Sequence, residues 1–208
     1  MANTGVTSLI SDIINTLKAA AKDYNAVNND KTLPETFHEA GRGLSTVREA
    51  LKTANSQLQK RDQAGDPQNA ISTLEACNAK AKLSLNIFEE VSEEPETSRF
   101  EHYKTAVGRG GRGNLVEALV VGMMNDICAL AKDSAIEATM ETQIKALRDA
   151  IDTLSNMEPS VPDEQSKKAF SHFGSGHQFN ATGGTQNNNV GSGKQFLGDI
   201  RGETVTFN

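Results

Sequence analysis

Through the first three quarters of the chain, Met1 to about Met157, apolar side chains recur every three or four positions and never in alternation, which restricts this stretch to helices. Val6, Leu9, Ile10, Ile13, Ile14, Leu17, Ala20, Ala21 and Tyr24 form one stripe on one helix face. Thr32 and Pro34 read as the cap and first turn of a second helix. Its stripe is a stricter heptad: Phe37, Ala40, Leu44, Val47, Leu51, Ala54, Leu58. Gly65-Asp66-Pro67 breaks the pattern. Ile71, Leu74, Ala81, Leu85 and Phe88 mark a third helix that ends before Pro95, and Ser98 to Val107 a short one. Asn114 reads as the cap of the next. There Leu115, Val116, Leu119, Val120, Met123, Met124, Ile127 and Leu130 cover more than half the girth, which predicts the most buried position. Ile136, Met140, Ile144, Leu147, Ile151 and Leu154 carry the last helix, which stops before Pro159. The expected fold class is all-α, a helical bundle of roughly five to six helices over 1–157.

Composition narrows the function classes. Aromatics are 5% of the 208 residues and tryptophan is absent, so Leu, Ile, Val and Ala must build the core. The net charge of −6 argues against gripping nucleic acid by its phosphates. Cys77 and Cys128 are too few for a disulfide scaffold or zinc cluster and read as small buried hydrophobes. Residues 1–6 lack the basic start of a secretory signal, and Leu115–Leu130 is interrupted by Glu117, Asn125 and Asp126, too short and too polar for a span. The expectation is a soluble, cytoplasmic protein.

After Pro159 and Pro162 the composition changes. A linker is expected over 158–172, and 173–208 is rich in Gly, Asn, Gln, Ser and Thr, without proline. Such a stretch buries too little apolar surface to offset its own ordering, so a disordered tail is expected in the monomer. It is not random. Gly174-Ser-Gly-His-Gln-Phe-Asn180 is echoed by Gly191-Ser-Gly-Lys-Gln-Phe-Leu197, with Gly184, Gln186, Asn187, Asn188 and Asn189 between. Three copies of Gly-x-Gln result, Gly176 to Gln178, Gly184 to Gln186 and Gly193 to Gln195, eight and nine residues apart. A plain linker would explain the glycine and polarity but not the repeat. Cross-β stacking explains all three, since Asn and Gln ladder along a fibril, glycines allow arches, and Phe179 and Phe196 fill dry interfaces. The charges Lys194, Asp199, Arg201 and Glu203 cancel, which removes repulsion between layers.

The tail from Gly174 to Phe196 resembles the short sigma/PP-type amyloid signalling motifs of filamentous fungi. The front half, from Val6 to Tyr24 and through the Leu33-Pro34 entry of the second helix, resembles the HeLo-like, SesA-type domain. The layout is that of a cell-death effector, similar in logic to HET-s and to the mixed lineage kinase domain-like protein of animal necroptosis. The resemblance implies amyloid-motif residues Gly174, Gly176, Gln178, Phe179, Asn180, Gly184, Gln186, Asn187, Asn188, Asn189, Gly191, Gly193, Gln195 and Phe196. It also implies membrane insertion of the first helix through Leu9, Ile10, Ile13, Ile14 and Leu17. Its partners would be further copies of itself in a fibril, an NLR-like STAND receptor with a matching motif, and membrane lipids after activation. It would move from cytoplasm to plasma membrane. Lys18 and Lys22 are the bases of that helix, and the acidic balance of the bundle gives anionic lipid little to attract.

Other motifs carry less. Gly108-Arg-Gly-Gly-Arg-Gly113 matches GxGxxG but lacks a preceding strand, so it reads as a flexible basic loop whose Arg109 and Arg112 are available to phosphates. Glu35 and His38 have the Glu-x-x-His spacing of di-iron bundles, in a single copy, and read as a surface pair. His102, His172 and His177 define no metal site, and Asn180-Ala-Thr182 is a sequon without a secretory route. No catalytic constellation is supported, and no enzyme or cofactor is expected. Two alternatives stay open: an amyloid-motif adaptor or inhibitor without membrane activity, and a carboxylate- or lipid-handling enzyme in a helical bundle.

Overall fold

The computed structural model describes residues 2–60, 67–110, 112–134 and 136–162. The chain divides between Pro162 and Asp163, and every described residue belongs to the first unit. Among the described residues the fold is all helical, as the three-and-four spacing requires. It comprises α1 (Ala2–Val27), α2 (Glu35–Gln59), α3 (Pro67–Glu93), α4 (Arg99–Gly110), α5 (Val116–Asp133) and α6 (Glu141–Ser155). Short 3-10 turns at Arg112–Asn114 and Glu137–Met140 precede α5 and α6.

Helix boundaries depart from the sequence reading where local chemistry overrides pattern. Pro34 sits at the cap of α2 rather than in its first turn, extended at φ −63° and ψ 149°, and its carbonyl accepts from the His38 amide. Thr32 is no cap: its N–H and hydroxyl both donate to Asp30 Oδ1, at 2.8 and 2.7 Å. Asn114 lies in a 3-10 turn, and Leu115 takes the cap of α5 without a side-chain bond. Ile136 and Met140 are buried as their spacing predicts, yet they flank and close the second 3-10 turn instead of continuing a helix. α4 runs three residues beyond Val107, so Gly108–Gly110 is helical rather than loop, and Arg109 forks onto both Glu90 oxygens at 3.0 and 3.1 Å.

α1 packs against α2 and α3; α2 also meets α5 and α6, and α3 meets α4 and α5. The apolar α5, which also packs on α6, therefore shares the centre with α2 and α3 instead of occupying it alone. Two glycines inside α2, each costing about 1 kcal/mol of helix propensity relative to alanine, mark the close approaches. A Cβ on Gly41 would lie 2.4 Å from the Tyr24 ring of α1, and one on Gly43 would lie 3.0 Å from Val120 of α5.

Candidate functional site at the first helix and the exit segment

Each residue assigned to membrane insertion sits on the inner side of α1 or at its border. Ile10, Ile13 and Leu17 are fully buried, along with Val6, Ala20, Tyr24 and Val27. Leu9 and Ile14 are half-buried and pack against the edge of the core. Ser11, Asp12, Asn15, Lys18 and Lys22 face outward. The stripe thus makes α1 amphipathic, with its apolar face occupied by α2 and α3. No helix among the described residues is long and apolar enough to cross a membrane.

The C-terminal end of α1 is fixed by an aromatic cluster. Tyr24 meets Phe88 edge-on at 5.7 Å between centroids, Phe37 meets Phe88 at 5.1 Å, and Phe37 meets Tyr103 at 4.9 Å. Such tilted pairs contribute about 0.5–1.5 kcal/mol each beyond their burial. One ring from each of α1, α2, α3 and α4 takes part.

The α1–α2 turn is clipped to the α3–α4 turn by Asp30, whose side chain is 1% exposed. Arg99 donates to Asp30 Oδ2 at 3.0 Å and, through Nε, to the Glu94 carbonyl at 2.9 Å. Burial opposes the charge on Asp30, but the bonds from Thr32 and Arg99 outweigh it and hold its carboxyl below the usual carboxylate value. His38 donates from Nε2 to the Asp30 carbonyl at 2.8 Å. The supposed Glu35–His38 surface pair is thereby split: His38 is buried at the turn, and exposed Glu35 pairs with Arg42.

A second clasp holds the segment that leads toward the C-terminal tail. Its first part, Glu158–Val161, falls within the linker that the sequence predicts over 158–172. The Glu158 carbonyl accepts from Thr36 Oγ1 at 2.6 Å. Ser160, 2% exposed, donates its N–H to Glu117 Oε1 at 2.9 Å and its hydroxyl to Oε2 at 2.7 Å. The Tyr103 hydroxyl lies 2.5 Å from Ser160 Oγ and accepts from the Val116 amide at 3.4 Å. Proton donation thus runs from Val116 through Tyr103 and Ser160 to Glu117, leaving each group with a partner. Burial, then the charge of Glu117, pushes the Tyr103 phenol well above its ordinary value. The available sequence signal was Glu117 itself, a carboxylate inside the most apolar helix; nothing in the sequence pointed to Tyr103, Ser160, Asp30 or Arg99.

Cys77 is buried and its thiol is pushed up to about 12, chiefly by burial; Cys128 is half-buried and raised for the same first reason. Among the described residues no group of three or more His, Cys, Asp or Glu side chains is placed to hold a metal ion. The amyloid-motif residues, Gly174 through Phe196, and His172 and His177 lie outside the described residues.

Comparison with known proteins places both parts. Residues 10–130 match SesA, the N-terminal domain on NACHT NTPases and P-loop NTPases, and residues 167–208 match the sigma domain on NACHT NTPases. No curated protein and no solved structure matches the chain. With the first match covering more than half its length, the chain belongs to the SesA family and, joined to a sigma domain, is a fungal NACHT-associated cell-death effector of the HeLo-like type.

Proposed function

We propose that this chain is the executor of the response and that its tail is the receiver. A NACHT NTPase with a matching motif presents a short cross-β template. The 173–208 segment adds to it through backbone pairing and Gln/Asn ladders. The fibril then clusters many bundles, and α1 leaves the groove between α2 and α3 to lie in the plasma-membrane interface. At rest the protein is cytoplasmic. The observation that supports this most directly is the union of SesA and sigma segments in one chain.

Magnitudes say why clustering is needed. Withdrawing Val6, Ile10, Ile13, Leu17 and Val27 from the core forfeits about 1.5–3 kcal/mol each, on the order of 10 kcal/mol together. That equals the stability of a typical domain. Release in solution is therefore negligible. Reburial of the same face in a bilayer interface offsets much of the loss, and high local concentration favours the membrane-bound state further. No step in this reading is catalytic, and Cys77, with its thiol pushed up to about 12, is not a thiolate at neutral pH.

The test is seeding of the full chain with fibrils of a 167–208 peptide beside dye-loaded vesicles, following fibre growth and dye release together. Wild-type protein should do both. A Leu9→Glu, Ile14→Glu variant, altered only at half-buried border positions, should form fibres at the normal rate with little dye release. Fibres without release from the wild type would make the chain an adaptor, and no fibres at all would sink the templating step.

A further inference from the structure

Beside the seam of α1 and α2 runs an open groove of about 490 Å³, lined by Asn15, Lys18, Lys22 and Asn25 of α1 and by Arg48 of α2. It contains three cations and two amides, and no carboxylate lines it. Lys18 and Lys22 are one turn apart on the same stripe, where like charges repel unless an anion sits between them. Among the described residues neither lysine has a carboxylate within ion-pairing distance. Arg48 Nε is buried without a hydrogen-bond partner, and the nearest carboxylate oxygen, on Glu49, is 3.7 Å away. That Glu49 oxygen is shared with Lys52, which bonds it at 2.8 Å, so Arg48 has only the longer ion pair, and Glu49 lines the other side of α2, toward Thr142 and Gln143 of α6. On a chain of net charge −6 the groove is a local positive site.

We propose that this groove binds a phosphomonoester group. A guanidinium fork, two mobile ammoniums and two amide N–H donors satisfy a compact dianion with several acceptor oxygens better than a single carboxylate. Lys18 and Lys22 come from the helix that leaves and Arg48 from the helix that stays, so a bound group bridges them and holds α1 docked. A lipid headgroup and a small soluble phosphate share this chemistry. A headgroup would bring the outer face of α1 against the bilayer before release, a role that rests on the executor reading above; the binding itself does not.

The experiment uses unseeded full-length protein at fixed ionic strength. One arm measures the rise in melting temperature with glycerol 3-phosphate, a soluble phosphomonoester, against chloride. The other floats the protein with phosphatidylcholine vesicles carrying phosphatidic acid, against vesicles of equal charge carrying phosphatidylserine. Binding in either arm should weaken about tenfold or more in Arg48→Gln or Lys18→Gln, Lys22→Gln protein, since each lost charged hydrogen bond is worth about a decade or more in affinity. Arg48→Lys should fall between. Binding of glycerol 3-phosphate alone assigns the ligand to a soluble phosphate, and binding to phosphatidic acid alone to a headgroup. No binding in either arm, equal binding of phosphatidylserine, or undiminished binding by the variants overturns the proposal. Because no fibril is involved, these outcomes are independent of the seeded-leakage result.

Discussion

Ser160 places both its backbone N–H and its hydroxyl on the carboxylate of Glu117, 43 residues away and buried at the start of α5. The last well-packed turn before the tail is therefore bonded to a carboxyl group that is only 8% exposed. Removing one partner of such an arrangement is more costly than the bond is worth, because the other partner stays desolvated. Ser160→Ala deletes the hydroxyl that serves Glu117 and takes the nearby acceptor from the Tyr103 hydroxyl, which keeps only the Val116 amide as its donor. Urea unfolding should show a loss of about 1–3 kcal/mol. A loss below a few tenths would mean the clasp is ornamental.

The clip at Asp30 should make stability acid-sensitive. Its folded pKa is lowered, so its contribution is fully present above the unfolded value of about 3.9 and is lost as pH falls through the folded value. Asp30→Ala should lose about 3 kcal/mol at neutral pH, the low end for breaking a buried pair. Arg99, at 18% exposure, still reaches water and keeps the cost from rising further. Denaturant midpoints from pH 7 to pH 2 should also fall less steeply in the variant than in the wild type. Parallel curves would count against Asp30 as a source of the acid sensitivity.

Two glycine substitutions should move in opposite directions. At Gly41 the propensity gain of Ala, about 1 kcal/mol, is opposed by ring atoms 2.4–2.7 Å from the new Cβ. Overpacking costs about 1–3 kcal/mol, so Gly41→Ala should be destabilising and should loosen α1. At Gly108 nothing lies within 4 Å of the new Cβ, and the position is helical. Gly108→Ala should raise the melting temperature. Equal shifts in the two variants would show that Tyr24 yields to the methyl group without cost.

These residues also show where sequence is informative. The stripes of α1 and α2 could be read directly because periodicity is local: Ile10, Ile13, Leu17, Leu44, Leu51 and Leu58 are all buried as their spacing requires. Clusters made by packing could not be read. Lys18 and Lys22 gain Arg48 only when α1 lies along α2, and Glu117 gains Ser160 and Tyr103 only when the chain has returned to the start of α5. Glu35 and His38 fail in the opposite way. Their spacing suggests a common face, but the turn at Asp30 captures the histidine and Arg42 the glutamate. Gly108–Gly110 mislead because glycine is permissive: its propensity disfavours a helix without forbidding one, and α4 runs on through Gly110 with Arg109 paired to Glu90 on α3.

The cysteines supply a reporter of opening. Cys77 is fully buried on α3, and burial lifts its thiol to about 12, so at pH 7.5 both access and thiolate fraction are small. Cys128 is half-buried on α5 and less shielded. In resting protein, iodoacetamide should modify Cys128 at least about tenfold faster than Cys77, since each unit of thiol pKa above the ordinary 8.5 lowers the thiolate fraction tenfold. After seeding in the presence of vesicles, withdrawal of α1 opens the core it shared with α3, and Cys77 should become reactive while Cys128 changes little. Mass spectrometry of the alkylated peptides resolves the two. If Cys77 stays protected in seeded, leaking samples, α1 does not leave the bundle, and the membrane-active surface must be sought on a face that is already exposed.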